Sequence, residues 1–457
     1  MNPFCFSQPC SEWTGQGGLP PKVRNMILFV LYNAILHLAL LCATPYLILR
    51  ALCDRDFRPI LARFGRYRPD IPAGGLWIHA VSVGEVNAAK ALVVALKRKY
   101  PETPLVLTTS TITGQDVAKK VLSAQDIIVA FFPFDIPFAV KRSLSAIRPR
   151  ALIILETELW PNIIRQTAAR GIPVILVNGR ISASSMKWYR FIAPLVRGAL
   201  REFDALGMRT PEDASRIEQL GAEPSKIAIT GNIKFEASLL SINDEQKKEL
   251  ARQVGLRDGE RLIVAGSTHP GEEELVVGVF NRLKEEVPAT VLLLAPRHVT
   301  RLDEVCDTVR RAGLEFVLRS DKRRSDEIRQ VIVLDTTGEL ARLYALGEIA
   351  FVGGSFEEGI GGHNGLEPAA VGVPVLFGPH MESFADIVER LRRHGGCIQV
   401  EDGEELYTAC RELLHDREKR EHMGRNAKEA VISGGGALAK SVAMVEEVVR
   451  RTCGELS

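Results

Sequence analysis

Glu85, Glu156 and Lys234 are the residues of this 457-residue chain best suited to moving a proton and steadying a charge, because each stands just past an apolar run that reads as a buried strand. In Trp77-Ile78-His79-Ala80-Val81-Ser82-Val83-Gly84-Glu85, a strand turns into a helix and leaves Glu85 at the helix start. A carboxylate there can take a proton from an attacking hydroxyl within hydrogen-bond reach. The same position also suits an ordinary glutamate stabilised by the helix dipole. Glu156 and Glu158 follow the run Ala151 to Leu155, and two carboxylates so close beyond a buried strand do not serve a core. Glu156 is read as facing a cleft and Glu158 as a helix-start charge. Lys234, in Gly231-Asn232-Ile233-Lys234-Phe235, puts an ammonium at a strand end, where it can offset charge on a leaving group. Arg180, in Asn178-Gly179-Arg180, can bind an acidic group or pair with one of the glutamates.

The second half offers groups for an anion. The glycine-rich stretch from Gly353 to Gly365, between an apolar run and a helix expected over 364–371, is read as a phosphate cradle with Glu367 in reach of ribose hydroxyls. Arg297, in Ala295-Pro296-Arg297-His298, suits bidentate phosphate contact. Ser267 and Thr268 add hydroxyls ahead of another helix. His79, His269, His298, His363 and His380 all lie at strand ends, but without H-x-x-H or H-E-x-x-H spacing no metal site is expected. The absence of G-x-S-x-G and of a Walker A sequence argues against a serine hydrolase and a P-loop ATPase.

The elements that must hold these residues alternate as short β-rich runs and helical stretches, the pattern of parallel α/β sheets. Strands are expected at 76–79, 105–108, 127–131, 151–155, 174–177, 205–208 and 227–230, then at 262–265, 290–294, 316–318, 331–334, 349–352 and 373–376. They imply two Rossmann-like domains, 51–236 and 245–457, with ligands between the carboxyl edges of two sheets. The last helical stretch, 437–451, can join either domain. A net charge of +2 argues for no nucleic acid or other polymeric partner, and eight scattered cysteines without C-x-x-C suggest neither a zinc site nor disulfides. Residues 1–25 read as a disordered extension. The apolar run 26–50, with Lys22 and Arg24 before it and Arg50, Arg55, Arg58, Arg63, Arg66 and Arg68 in and after its end, reads as a membrane anchor that either spans or lies flat.

Taken in order, WIHAVSVGEV, ETELWPN, GNIKF, AGSTHPGEEE, APRH, TTGEL and GGHNGLEPAA behind an apolar N-terminal segment resemble the bacterial 3-deoxy-D-manno-octulosonic acid (Kdo) transferases. The resemblance implies the GT-B fold, two Rossmann-like domains facing a cleft. It also implies transfer of Kdo from CMP-Kdo to a lipid A precursor (lipid IVA), with inversion, in lipopolysaccharide core biosynthesis at the cytoplasmic side of the inner membrane. Membrane lipids would be partners, the first domain would bind the acceptor, and neither cofactor nor metal is implied. By the resemblance Glu85 is the proton acceptor, and Glu156 and Lys234 stabilise the transition state. CMP contacts fall on Pro296 and Arg297, on Thr337, Gly338 and Glu339, and on Asn364, Gly365, Leu366 and Glu367. Gly179 stands where alanine is expected. Two rival readings are another GT-B enzyme using a UDP-sugar and a membrane-tethered nucleotide-sugar sensor.

Overall fold

The computed structural model describes residues 21–54, 58–67, 70–123, 125–238, 242–321, 329–454 and 456. The expected extension therefore lies outside the described residues up to position 20. Its last five residues already belong to a helix, Pro21–Cys53, which carries the apolar run.

Two seven-stranded parallel sheets follow. The first comprises β1 (Leu76–His79), β2 (Leu105–Thr109), β3 (Ile128–Phe131), β4 (Ala151–Leu155), β5 (Val174–Gly179), β6 (Ala205–Met208) and β7 (Ile227–Ile229), in the order β3-β2-β1-β4-β5-β6-β7. The second comprises β8 (Arg261–Thr268), β9 (Thr290–Pro296), β10 (Phe316–Leu318), β11 (Val331–Val333), β12 (Gly347–Val352), β13 (Val375–Phe377) and β14 (Cys397–Gln399), in the order β10-β11-β9-β8-β12-β13-β14. Every run read as a strand is one, with ends moved by a few residues. The sequence reading lacked β14, whose Cys-Ile-Gln is only half-buried at a sheet edge and carries little apolar signal.

β1, β4 and β5 are buried throughout because helices cover both faces of the sheet. Each sheet reverses its winding once, between β1 and β4 in the first and between β8 and β12 in the second. Crevices for ligands open at such reversals, beyond the carboxyl ends of the strands.

The last helix, Ala437–Cys453, settles a point the sequence left open. Val442, Val445, Val448 and Val449 pack with Ile78, Leu155 and the helix Val83–Lys99 in the core of the first sheet. Lys99 pairs with Glu446 at 2.5 Å, and Arg150 donates to the Cys453 carbonyl at 2.6 Å. The unit drawn as 245–457 thus gives up its last helix to the first domain. Phe235 goes the other way, buried among Leu366, Phe377 and Met381 of the second. Asn232 Nδ2 donates to Asp386 Oδ2 at 2.8 Å beside it.

Candidate functional site

Beyond β1 the chain enters the helix Val83–Lys99 through Ser82, with Glu85 in the third helical position. The Ser82-x-x-Glu85 spacing is that of a capping box. The reciprocal pair does not form: the Glu85 carboxylate instead accepts from Val81 N–H, one residue before the cap, at 2.7 Å and from Ser82 Oγ at 3.2 Å. Glu85 is 8% exposed. Burial, helped by the charges of Glu156 and Glu158, pushes its carboxyl up to about 7. That matches a proton acceptor working near neutral pH.

Glu156, the first residue past β4, has φ of +56°, a conformation that costs a non-glycine residue about 1–2 kcal/mol. The turn sends its carboxylate into a cluster of cations. Arg209 and Lys234 both pair with Glu156 Oε1, Lys234 at 2.8 Å. Burial alone would raise this carboxyl, but Arg209 and then Lys234 overrule it and hold it down to about 2. Lys234 begins the short helix Lys234–Ala237, and burial lowers its ammonium against the pull of Glu156. Asn178, also left-handed (φ +59°), ties the cluster together. Its carbonyl accepts from Arg209 Nε at 3.2 Å and its Oδ1 from Ile233 N–H at 3.1 Å. Asn tolerates this conformation better than most residues.

Arg209 escaped the sequence reading. The signal was there in Met208-Arg209-Thr210-Pro211, an arginine directly past a strand, the cue that drew attention to Arg180. Arg180 bonds across the cleft instead, donating from Nη2 to the Glu382 carbonyl of the second domain at 2.8 Å.

In the second domain the cradle reading needs correction. The N–H groups of Gly354, Ser355 and Phe356 are already used, donating at 2.7, 2.9 and 3.0 Å to the carboxylate of Glu272. Glu272 opens the helix Glu272–Glu286, is 2% exposed and also accepts from His269 N–H at 2.9 Å. An internal carboxylate fills the nest where a phosphate was expected. Gly353 makes the approach possible, since a Cβ there would stand 2.8 Å from Glu272 Oε2 and 2.6 Å from the Ser267 carbonyl. The following helix is also shorter than expected, Leu366–Ala370.

The expected nucleotide residues stand at the carboxyl edges of β9, β11 and β12. Pro296 ends β9, and Arg297 is exposed; among the described residues nothing pairs with its guanidinium. Thr337 and Gly338 (φ +87°) follow β11, and Glu339 pairs with Arg319 at 2.9 Å. Asn364 Oδ1 accepts from Leu366 N–H at 3.2 Å, and its Nδ2 donates to Glu367 at 3.3 Å. Gly365 precedes the short helix. Burial raises the Glu367 carboxyl, with Asn364 and Arg297 drawing it down.

Two of the strand-end histidines meet. His269 Nε2 and His363 Nε2 lie 2.8 Å apart, so one carries the proton the other accepts. Burial, with Arg297 and the neighbouring histidines, pushes His363 down to about 3. His79 is a core residue, stacked at 3.5 Å on Phe132 and bonded through Nδ1 to the Thr108 carbonyl.

A family profile described as 3-deoxy-D-manno-octulosonic-acid transferase (kdotransferase) matches residues 59–237, and one described as glycosyl transferases group 1 matches residues 321–430. A 3-deoxy-D-manno-octulosonic acid transferase of Haemophilus influenzae is 35% identical over 83% of this chain and 88% of its own length. One of Bordetella pertussis is 32% identical over 84% and 91%. Among solved structures, a UDP-N-acetylglucosamine 2-epimerase from Neisseria meningitidis superposes with a TM-score of 0.58 at 13% identity, over 82% of this chain and all of that one, a likeness of fold.

Proposed function

The chain belongs to the 3-deoxy-D-manno-octulosonic acid transferase family of GT-B glycosyltransferases, and from that membership and the geometry of the two facing edges we propose that it moves Kdo from CMP-Kdo to a lipid A precursor, lipid IVA, with inversion, in lipopolysaccharide core biosynthesis. The observation that most supports the chemistry is Glu85, a carboxyl pushed to about 7 at the reversal point of the first sheet, within electrostatic reach of Glu156 and Lys234. In this reading Glu85 takes the proton of an acceptor hydroxyl, whose oxygen attacks the anomeric carbon of Kdo. The bond from that carbon to the phosphate oxygen breaks, and CMP leaves with the electron pair. A single displacement inverts the anomeric centre.

Lys234 and Arg209 outnumber Glu156, so the cluster carries positive charge that offsets the negative charge gathered in the transition state. Arg297, free of protein partners among the described residues, is the first candidate for the CMP phosphate. With Glu272 occupying the start of the glycine-rich loop, the nucleotide would meet the later part, Asn364 to Glu367. The reading assigns no metal or organic cofactor, since one phosphate can be met by one guanidinium; EDTA should leave the rate unchanged.

In this reading the acceptor is a lipid, met at the cytoplasmic face of the inner membrane. The stretch Met26–Arg50, long and apolar enough to cross a bilayer, supports attachment there. The test is Kdo transfer from CMP-Kdo, generated in the assay, to a tetraacyl lipid A precursor in detergent, for the wild type and Glu85→Ala side by side. Product from the wild type alone is expected, and its mass counts the Kdo units. A folded wild type that binds CMP and makes no product would refute the reading.

A further inference from the structure

The apolar helix Pro21–Cys53 is fastened along its length to the first domain. Tyr32 donates from its hydroxyl to Asp135 Oδ2 at 2.8 Å, and Asn162 Nδ2 donates to Asn33 Oδ1 at 2.8 Å. Asp135 in turn accepts from the N–H groups of Asn162 and Ile163 at 2.9 and 2.8 Å, capping the helix Pro161–Ala168 at the carboxyl edge of the sheet. The guanidinium of Arg165 lies 4.2 Å over the Phe29 ring. Half-buried residues recur at Phe29, Tyr32, Leu36, Leu40, Ala43 and Leu47, one stripe of the helix, and the helix packs on Ala193–Leu200 and on the turn Arg58–Phe64. That stripe is about 27 Å long at 1.5 Å per residue, close to the thickness of a hydrocarbon core, about 30 Å.

An upright helix would therefore draw the flank of the domain through the bilayer with it. Tyr32 is only about 9 Å along the axis from the middle of the apolar stretch. Asp135 and Asn162, fastened there, would sit inside hydrocarbon, where polar groups are costly.

The opposite face of the helix is apolar and open: Met26, Val30, Leu38, Leu41 and Leu49 are all more than 60% exposed. Ala183–Phe191, the helix leading into Ala193–Leu200, exposes Trp188 and Phe191, their rings stacked at 5.8 Å, beside exposed Lys187 and Arg190. Its inner face holds buried Met186, and Tyr189 donates to the Thr157 carbonyl at 3.2 Å, in the loop of Glu156. Aromatic rings among basic side chains suit the boundary between anionic headgroups and acyl chains.

We propose that the helix Pro21–Cys53 lies in the plane of an anionic bilayer surface, and that Trp188 and Phe191 enter the same leaflet as a second point of immersion. This rests on the membrane attachment proposed above and adds its posture. Both contacts then set the loop of Glu156 at headgroup level, where a lipid-borne hydroxyl stands.

The test uses the full chain with a peptide tag before Met1, purified in detergent and added to preformed phosphatidylethanolamine–phosphatidylglycerol vesicles. External protease should remove the tag from bound protein, because an in-plane helix keeps it outside. Vesicles with brominated acyl chains should quench tryptophan fluorescence, and Trp188→Phe should lose that quenching. The pair Trp188→Ala and Phe191→Ala should weaken vesicle binding about tenfold. Bound protein whose tag is protected until detergent is added would overturn the in-plane posture. Quenching equal in wild type and Trp188→Phe would overturn the second contact. Failure to bind vesicles at all would remove membrane attachment itself, while transfer to detergent-dispersed acceptor would still report on the enzyme.

Discussion

The two edges that face each other handle charge in opposite ways. On the first, Arg209 and Lys234 both close on Glu156 under cover, and Glu85 beside them keeps a proton to exchange near neutrality. On the second, the deep groups are locked together, Glu272 in the loop nest and His269 against His363, while Arg297 at the rim has no protein partner among the described residues. Burial, helped by the charge of Glu156, lifts the Glu85 carboxyl to about 7, while Arg209 and Lys234 overrule burial at Glu156 and hold it at about 2, so one crevice keeps two nearby carboxyls far apart in affinity for a proton. A free rim cation, by contrast, spends nothing on the protein and everything on a ligand.

The contrast can be broken most sharply at Glu85. Glu85→Ala should slow transfer by about 10²–10⁴, the range for losing a general base, with an unchanged circular dichroism spectrum. In the wild type, kcat/KM should rise with pH and level off above about 7, where the free carboxyl is ionised. Arg209→Met leaves a buried carboxylate short of a partner and should cost about 3 kcal/mol or more in denaturant unfolding, with Glu156→Gln on the same chain restoring part of it. Arg297→Ala should leave stability alone and weaken CMP binding about tenfold by calorimetry, the scale of one charge-assisted hydrogen bond.

The smallest effect is a matter of sign. Glu85 is raised in the folded state, so its contribution to stability is present below about pH 4.5 and lost as pH climbs through about 7. Glu156 is depressed, so its contribution is present above about pH 4.5 and lost as pH falls toward about 2. Glu85→Gln should therefore melt higher than wild type at pH 8 and level with it at pH 5, while Glu156→Gln should melt lower than wild type at both. Equal shifts for the two variants across pH would erase the distinction between the edges.

The architecture was legible because a parallel sheet covered on both faces writes its central strands as plain apolar runs, as in Ala151-Leu152-Ile153-Ile154-Leu155. Residues just past such runs were legible for the same reason: Glu156 and Arg297 directly follow strands, and Glu85 and Lys234 lie at the starts of the helices that come next. What stayed hidden depends on contacts distant in the chain. Nothing in Gly353-Gly354-Ser355-Phe356 says that its N–H groups close on a carboxylate some 80 positions earlier, because a nest binds any anion of the right shape. Arg209 looks like any arginine at a strand end until Glu156 turns left-handed to meet it. The valines of 437–453 would fit a groove on either domain, and only the three-dimensional packing chooses.

That choice has a consequence for how the protein is made. The helix Ala437–Cys453, which completes one face of the first sheet, is synthesised after every strand of both sheets. Domains made early in a chain ordinarily fold as they emerge from the ribosome. Here the first sheet has one flank open while the strands of the second are being translated, and that flank closes only once residues 437–453 have emerged. Chains that stop short of residue 437 should therefore be aggregation-prone even with every strand and both Glu85 and Glu156 already in place.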